Sequence, residues 1–335
     1  MQLSRFPRVR LAHLPTPLEH LPRLSEYLGG PQIYVKRDDC TGLATGGNKT
    51  RKLEFSMGEA VSRGADTIVT VGAVQSNHVR QTAAAAARLG MGCEILLEHR
   101  IAKPSNEYLN SGNVLLDRIL GATLHEFPAG ADFDAEMQSL AEKLEASGKS
   151  PYIIPGGASY RVGALGYVNC AFELVAQANE RGIVVGRVVA ATGSAGTQAG
   201  MAVGLRACNS DIPLIGINVG NGKSEQEEKV FELACETADY LGAPGIVRRE
   251  DIVANADYVG PGYGERTDEM NEAVLLLARL EGLLFDPVYS GKALAGMIDL
   301  VRQGAFESSD TIVFLHTGGT AALFAYADQL DLSVT

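Results

Sequence analysis

The chain has no long apolar run, and no stretch reaches the about 18 uninterrupted apolar residues of a membrane-spanning helix. Its N-terminal "MQLSRFPRVRLAHLPTPLEHL" is basic but holds no continuous apolar core of the kind an export signal carries, so neither insertion nor export is expected. Cysteine is sparse as well. Cys40, Cys93, Cys170, Cys208 and Cys235 are odd in number and never paired as CxxC, which argues against a disulfide framework and a thiolate metal site and suits a reducing cytoplasm. Basic residues are in deficit, 29 against 40 acidic ones for a formal charge of -11. That balance disfavours an extended face for nucleic acid but leaves room for a local cationic pocket. With no fixed-period repeat and no low-complexity linker either, the expected ligand is a small molecule.

What is present describes a globular chain long enough for two domains sharing a cleft: 335 residues, 46% hydrophobic and 21% charged, with 38 glycines and 13 prolines spread throughout. Short Val- and Ile-rich runs at 32–39, 66–74, 92–98, 186–192, 212–220 and 310–317 read as strands. Segments of helical period at 79–90, 161–182, 224–242 and 267–282 lie between them and end in glycine, as helix C-termini do. Strands alternating with helices predict an open α/β architecture with a mostly parallel sheet. The turn-rich "PGGASYR" (155–161) is the expected crossing between domains.

In such sheets ligands sit beyond the carboxyl ends of strands, so the loops there carry the functional reading. "GLATGGNKTRKLEF" (42–55) comes within one residue of a phosphate-binding P-loop, but Asn48 intrudes between Gly47 and Lys49. Lys49 is therefore either a phosphate ligand, a surface lysine on a glycine turn, or a residue that does chemistry itself. "ATGSAGTQAG" (191–200) leaves the amides of Gly193, Ser194, Ala195, Gly196 and Thr197 free to surround an anion at the mouth of a helix. "GAVQSNHVRQTAAAAA" (72–87) puts Ser76 and Asn77 at a helix N-terminus suited to a carboxylate, or simply to capping, and His78 beside them. "PGYGERTDEM" (261–270) and "FDPVYSGKALAG" (285–296) each frame a tyrosine with glycines. Two tyrosines so placed either pack or line a cleft where a phenol of lowered pKa transfers protons.

Taken together, "GGNKTRKLEF", "QSNHVRQTAAAA", "ATGSAGTQAG", "PGYG", "DPVYSGKALAG" and "LHTGG" (315–319) resemble, in order and spacing, the pyridoxal-phosphate enzymes that group D-cysteine desulfhydrase with aminocyclopropane-carboxylate deaminase. The resemblance spans nearly the whole chain and implies the tryptophan-synthase-β-like fold type II: two open, mostly parallel sheets flanked by helices. It implies a large cofactor-binding domain of residues 1–50 and 161–335, a small domain of 51–160, and a homodimer. On this resemblance Lys49 forms the Schiff base with the cofactor aldehyde, Lys52 and the 193–197 loop hold its phosphate, and Asn77 bonds its ring hydroxyl. Thr317 meets the pyridine nitrogen. Ser76, Asn77 and His78 line the substrate carboxylate pocket, and Tyr263 and Tyr289 face the substrate. Lys49 then removes the substrate α-proton, with Arg51 and Lys52 expected to help keep it neutral.

The resemblance also narrows the substrate. The deaminases carry a glutamate after the second tyrosine and a leucine before "GG", where this chain has Ser290 and Thr317, as the desulfhydrases do. Where those typically read "PGYGVPN" and "GGSN", however, this chain reads "PGYGERT" and "GASYR", placing Arg266 and Arg161 near the expected site. A guanidinium suits a sulfonate. The leading expectation is thus a cysteate sulfo-lyase, converting L-cysteate to pyruvate, sulfite and ammonia. D-cysteine desulfhydrase is the alternative, aminocyclopropane-carboxylate deaminase is less favoured, and a P-loop-like nucleotide-binding protein is the competing class.

Overall fold

The computed structural model describes residues 2–333. Ten strands run β1 (Leu18–His20), β2 (Gln32–Arg37), β3 (Thr67–Ala73), β4 (Gly92–His99), β5 (Thr123–Pro128), β6 (Pro151–Ile154), β7 (Arg187–Thr192), β8 (Leu214–Asn218), β9 (Val253–Asn255) and β10 (Thr311–His316). They form a six-stranded sheet of order β1-β2-β10-β7-β8-β9 and a four-stranded sheet of order β5-β4-β3-β6. Neighbouring strands are parallel except β1, which runs antiparallel to β2.

Because successive side chains in a strand point to opposite faces, apolar runs covered by helices on both sides feed two cores at once. Val188 and Ala190 pack into one core of the larger sheet, and Val189 and Ala191 into the other. In the smaller sheet Ile68 packs on one face and Val69 and Val71 on the other. The six strands read from apolar runs are the six interior ones. Those left unread, β1, β5, β6 and β9, are the four sheet edges. An edge strand is only partly covered, so its residues are mixed, as in "TLHEFP", and leave no continuous apolar signal.

The larger sheet draws its strands from 18–37 and 187–316, and the smaller from 67–154. That arrangement supports the proposed division into 1–50 with 161–335 and 51–160; residues 1, 334 and 335 at its ends lie outside the described residues. One helix joins the halves. The Lys49–Ser62 helix puts Phe55 into the core of the larger sheet and Leu53 and Met57 into that of the smaller. It meets the Arg161–Glu180 helix backbone to backbone: a Cβ on Gly166 would lie 2.4 Å from the Arg51 carbonyl oxygen. No helix among the described residues is long and apolar enough to cross a membrane.

Arg51, two residues from the expected attachment lysine, points away from it. Its Nε pairs with Asp38 Oδ2 at 2.8 Å and its Nη2 with Glu173 Oε1 at 2.8 Å, all in the interior. The expectation that Arg51 keeps Lys49 neutral is therefore corrected: its charge is spent on two carboxylates. Tyr167 adds a hydroxyl donor to Asp38 Oδ2 at 2.6 Å. Burial alone would raise the Asp38 carboxyl, but the charges of Arg51 and Lys36 and these hydrogen bonds hold it below the ordinary range. A depressed folded-state value contributes stability above the unfolded value and loses it on acidification. Asp38→Ala is expected to cost about 3–5 kcal/mol in denaturant unfolding at pH 7, since it leaves Arg51 with Glu173 as its one carboxylate partner. The difference from wild type should shrink as pH falls below about 4.

Candidate active site

The carboxyl ends of both sheets open on one cavity of about 550 Å³. Its wall takes Gly72 and Ala73 from β3, Glu98 from β4 and Ala191 and Thr192 from β7; Thr317 follows β10, and Val219 and Asn221 follow β8. Of the residues singled out from sequence, the cavity gathers Lys49, Ser76, Asn77, His78, Gly193, Ser194, Ala195, Thr197, Tyr263, Tyr289 and Thr317.

Lys49 opens its helix at the bottom of this space, and the amino group of Lys52, three residues on, lies within hydrogen-bonding reach of it. Neither amine has a carboxylate partner among the described residues. Burial is the main cause that brings Lys49 down to about 8; burial and then the charge of Lys49 push Lys52 well below its ordinary value. Lys52 donates to the Gly157 carbonyl at 3.2 Å and to Ser159 Oγ at 3.3 Å. A Cβ on Gly196 would fall 2.9 Å from Lys52 Nζ, so glycine there keeps the space between that amine and the 193–197 loop open.

That loop turns sharply, with Ala195 at φ 75°, a left-handed conformation costly for a residue with a Cβ. The amides of Ser194, Ala195 and Thr197 make no hydrogen bond among the described residues, while Gly196 N–H donates to Ser159 Oγ at 3.2 Å. With the dipole of the Gly196–Ala207 helix behind them, these groups form an anion cup facing the two lysines. The opening glycine loop has no such capacity. Gly46 N–H is taken by the Leu43 carbonyl and Gly47 N–H by Thr41 Oγ1, so a P-loop reading fails on its own amides.

Asn48 ties the parts together: its side chain donates to Thr197 Oγ1 at 3.1 Å and its backbone N–H to the Thr317 carbonyl at 3.0 Å. Gly318, at φ 84°, packs so closely on this turn that a Cβ would lie 2.7 Å from Gly47 Cα. Ser76 caps the Asn77–Leu89 helix, accepting from the amides of His78 at 3.2 Å and Val79 at 3.4 Å. Those amides are thereby committed, leaving the Ser76 hydroxyl proton and Asn77 to meet an incoming carboxylate. Asn77 Oδ1 accepts from Arg80 at 3.2 Å and Asn113 at 3.0 Å, which leaves its NH₂ to donate into the cavity. His78 Nε2 lies 2.8 Å from Thr70 Oγ1, whose own proton goes to the Ile154 carbonyl, so Nε2 carries the imidazole hydrogen. Burial, then Lys49 and Lys52, hold His78 well below its ordinary value and keep it neutral.

Tyr263 and Tyr289 meet edge to face, their hydroxyls 2.6 Å apart. Burial raises both phenols, and for Tyr263 the neighbouring tyrosines add to it. The expectation of a lowered phenol pKa is thus corrected: one hydroxyl donates to the other, and the second keeps a proton to give. Three expected substrate contacts lie elsewhere. Arg161 is exposed and stacks on Tyr240 with its guanidinium 5.1 Å from the ring centre. Arg266 is drawn to Asp268 at 3.1 Å, in the first turn of the next helix. Ser290 is buried at the start of the Ser290–Arg302 helix, donating to Asp286 Oδ1 at 2.6 Å. None of the three lines the cavity.

Sequence reasoning passed over Arg80, Gln81 and Asn113, which position the site from behind. Gln81 accepts from Thr50 N–H at 2.8 Å and donates to the Asn77 carbonyl at 2.8 Å, locking the Lys49 turn to the Asn77 turn. Helical spacing from Asn77 was the available signal. It also passed over Arg100, just beyond β4, which lines the cavity beside Tyr263.

A family model described as "Pyridoxal-phosphate dependent enzyme" matches residues 9–318. A D-cysteine desulfhydrase of Salmonella typhi is 51% identical over 326 residues, covering 97% of each chain. A solved structure described as an ACC deaminase homologue superposes with a TM-score of 0.88 at 39% identity, over 98% of this chain and 96% of its own. An O-ureido-L-serine synthase shares the fold with a TM-score of 0.68 at 20% identity, over 97% of this chain and 95% of its own. Two outcomes follow for the lysine pair. Lys49→Ala is expected to abolish the visible absorption band that pyridoxal phosphate gives when bound to the wild type. Attachment to the apo-protein should quicken as pH rises through about 8, because only the neutral amine attacks an aldehyde; stopped-flow absorbance at fixed cofactor concentration measures it.

Proposed function

This chain belongs to the family of pyridoxal-phosphate dependent enzymes, and from that membership we propose that its cavity carries out the α,β-elimination of a sulfur-bearing amino acid, as a carbon–sulfur lyase of the D-cysteine desulfhydrase and ACC deaminase type. The residues fit the cofactor on three observations. Lys49 offers a buried amine lowered to about 8, Lys52 a second with no carboxylate beside it, and Ser194, Ala195 and Thr197 a run of unbonded amides. Lys49 would carry the cofactor, Lys52 and the 193–197 loop its phosphate, Asn77 its ring hydroxyl and Thr317 its ring nitrogen.

When bound, pyridoxal phosphate supplies an electron sink for the negative charge left at the substrate Cα. The chain's own groups do the rest. Ser76 and Asn77 hold the substrate carboxylate and fix which Cα bond faces the lysine. Lys49, released as a neutral amine, takes the α-proton. The Tyr263–Tyr289 pair, protonated over the neutral pH range, hands a proton to the departing sulfur. A threonine hydroxyl at 317, where a carboxylate would favour a protonated ring, supports elimination over transamination. The sum is amino acid and water to pyruvate, ammonia and the sulfur leaving group.

The identity of 51% over nearly the whole chain supports D-cysteine as the substrate and hydrogen sulfide as the leaving product. The case for L-cysteate loses the support of Arg161 and Arg266, which lie outside the cavity. We carry forward a homodimer as a proposal. Incubation with D-cysteine, L-cysteate and aminocyclopropane-carboxylate in turn, following pyruvate or its homologous keto acid, is expected to give turnover with a sulfur substrate and none with the cyclopropane. Tyr289→Phe should lower kcat by about 10²–10⁴-fold on that substrate while leaving the bound cofactor's absorption in place. Retention of full kcat would remove the tyrosine from proton transfer.

A further inference from the structure

Arg100 is the one arginine of the cavity wall among the described residues. It follows directly on β4, at the carboxyl end of a strand, where ligand-contacting residues of parallel sheets are found. Its Nε donates to Glu98 Oε2 at 2.5 Å, and Glu98 is itself steadied by the Gly130 amide at 3.3 Å. The guanidinium stands 5.0 Å from the centre of the Tyr263 ring. Both contacts fix the plane of the group yet use only Nε. Its two terminal nitrogens make no hydrogen bond among the described residues, and its side chain is 42% exposed. This contrasts with Arg51, Arg80, Arg161 and Arg266, each engaged by carboxylates, carbonyl groups or a ring outside the space where substrate would sit.

A guanidinium held at Nε presents its two Nη groups as a planar fork, the shape that grips two oxygens of one anion. Its place in the cavity wall against the ring of Tyr263, whose hydroxyl meets that of Tyr289, sets the fork beside the pair assigned above to the departing sulfur. Lys49 and Lys229 are the other cations of the wall, and Glu98 its one carboxylate among the described residues, already turned to Arg100. We propose that Arg100 is a specificity-determining residue that binds an anionic β-substituent, a sulfonate, so that L-cysteate is a substrate of this site. The proposal rests on the carbon–sulfur elimination set out above. In that reaction the Cα–H bond breaks with its proton going to Lys49. The Cβ–S bond breaks with its electron pair leaving on sulfur as sulfite, and water replaces nitrogen to give pyruvate and ammonia. No outside oxidant or reductant is needed. Arg100 neutralises charge on the sulfonate in the bound substrate and on the departing sulfite, so its removal acts mainly through KM.

The test compares cofactor-loaded wild type, Arg100→Gln, Arg100→Lys and Lys229→Gln. Pyruvate is followed with L-cysteate and with D-cysteine, and binding is read separately from the change in the cofactor's visible band on titration with L-cysteate. In Arg100→Gln the ratio of kcat/KM for L-cysteate to that for D-cysteine should fall by about 10–100-fold, with Kd for L-cysteate rising alongside. Arg100→Lys should retain part of both, since charge remains and the fork is lost, and it carries the comparison if the glutamine variant does not fold. A ratio and a Kd that both stay within about threefold of wild type overturn the proposal, as does a fall confined to Lys229→Gln. If wild type makes pyruvate from neither compound, the elimination reading fails, while the band titration still decides whether Arg100 grips the sulfonate.

Discussion

Two lysine amines buried side by side without a carboxylate are the constraint around which this molecule is arranged. Placing two ammonium groups out of water is costly unless an anion joins them, and proteins otherwise lower the pKa values instead. Both happen here. Burial brings Lys49 down to about 8, into the range where an amine acts as nucleophile and base, and with the charge of Lys49 it pushes Lys52 well below its ordinary value as well. The neighbouring 193–197 loop then presents unbonded amides to the same space. An anion bound there would supply the missing negative charge and let Lys52 hold its proton while Lys49 gives its own up. One cofactor carrying a phosphate and an aldehyde satisfies both ends of that arrangement.

The geometry depends on three loops from distant parts of the chain meeting at Asn48. Its side chain reaches the 193–197 loop at Thr197, and its backbone the loop after β10 at Thr317. Behind them Gln81 and Arg80 fasten the Asn77 turn to the Lys49 turn through buried hydrogen bonds. Such contacts hold only if each backbone approaches closely, which is why Gly318 lies against Gly47 with no room for a side chain. The Arg51–Asp38–Glu173 pairing serves the same end from the other side of the helix. It anchors Lys49's helix by its opposite face, so that the lysines are presented to the cavity.

Legibility followed burial. The six interior strands announce themselves because both faces are covered and the runs stay apolar, whereas the four edges carry mixed residues and left no such pattern. The site loops were legible for a different reason: Gly, Ser, Asn and Lys at strand ends have few structural uses that explain them together. What could not be read was direction. Arg161 and Arg266 sit in loops adjoining the site in sequence, yet one stacks outward on Tyr240 and the other is captured by Asp268. The tyrosines were found, but their pKa values depend on burial and on each other's hydroxyl, and both rise where a fall had been expected.

The amino-acid order by itself therefore determined the fold class and, through six motifs in register, the family. The fold class rests on local chemistry: apolar runs along strands buried on both faces, helix caps, and glycine where backbone must turn. Only the tertiary structure decided which cations face the cavity and which are spent elsewhere. A charged side chain several ångströms long can point to either side of its backbone, and the choice is made by partners far away in sequence. Arg51, next but one to Lys49, turns to Asp38 and Glu173. Arg100, remote from every motif that marked the site, is the arginine brought to it.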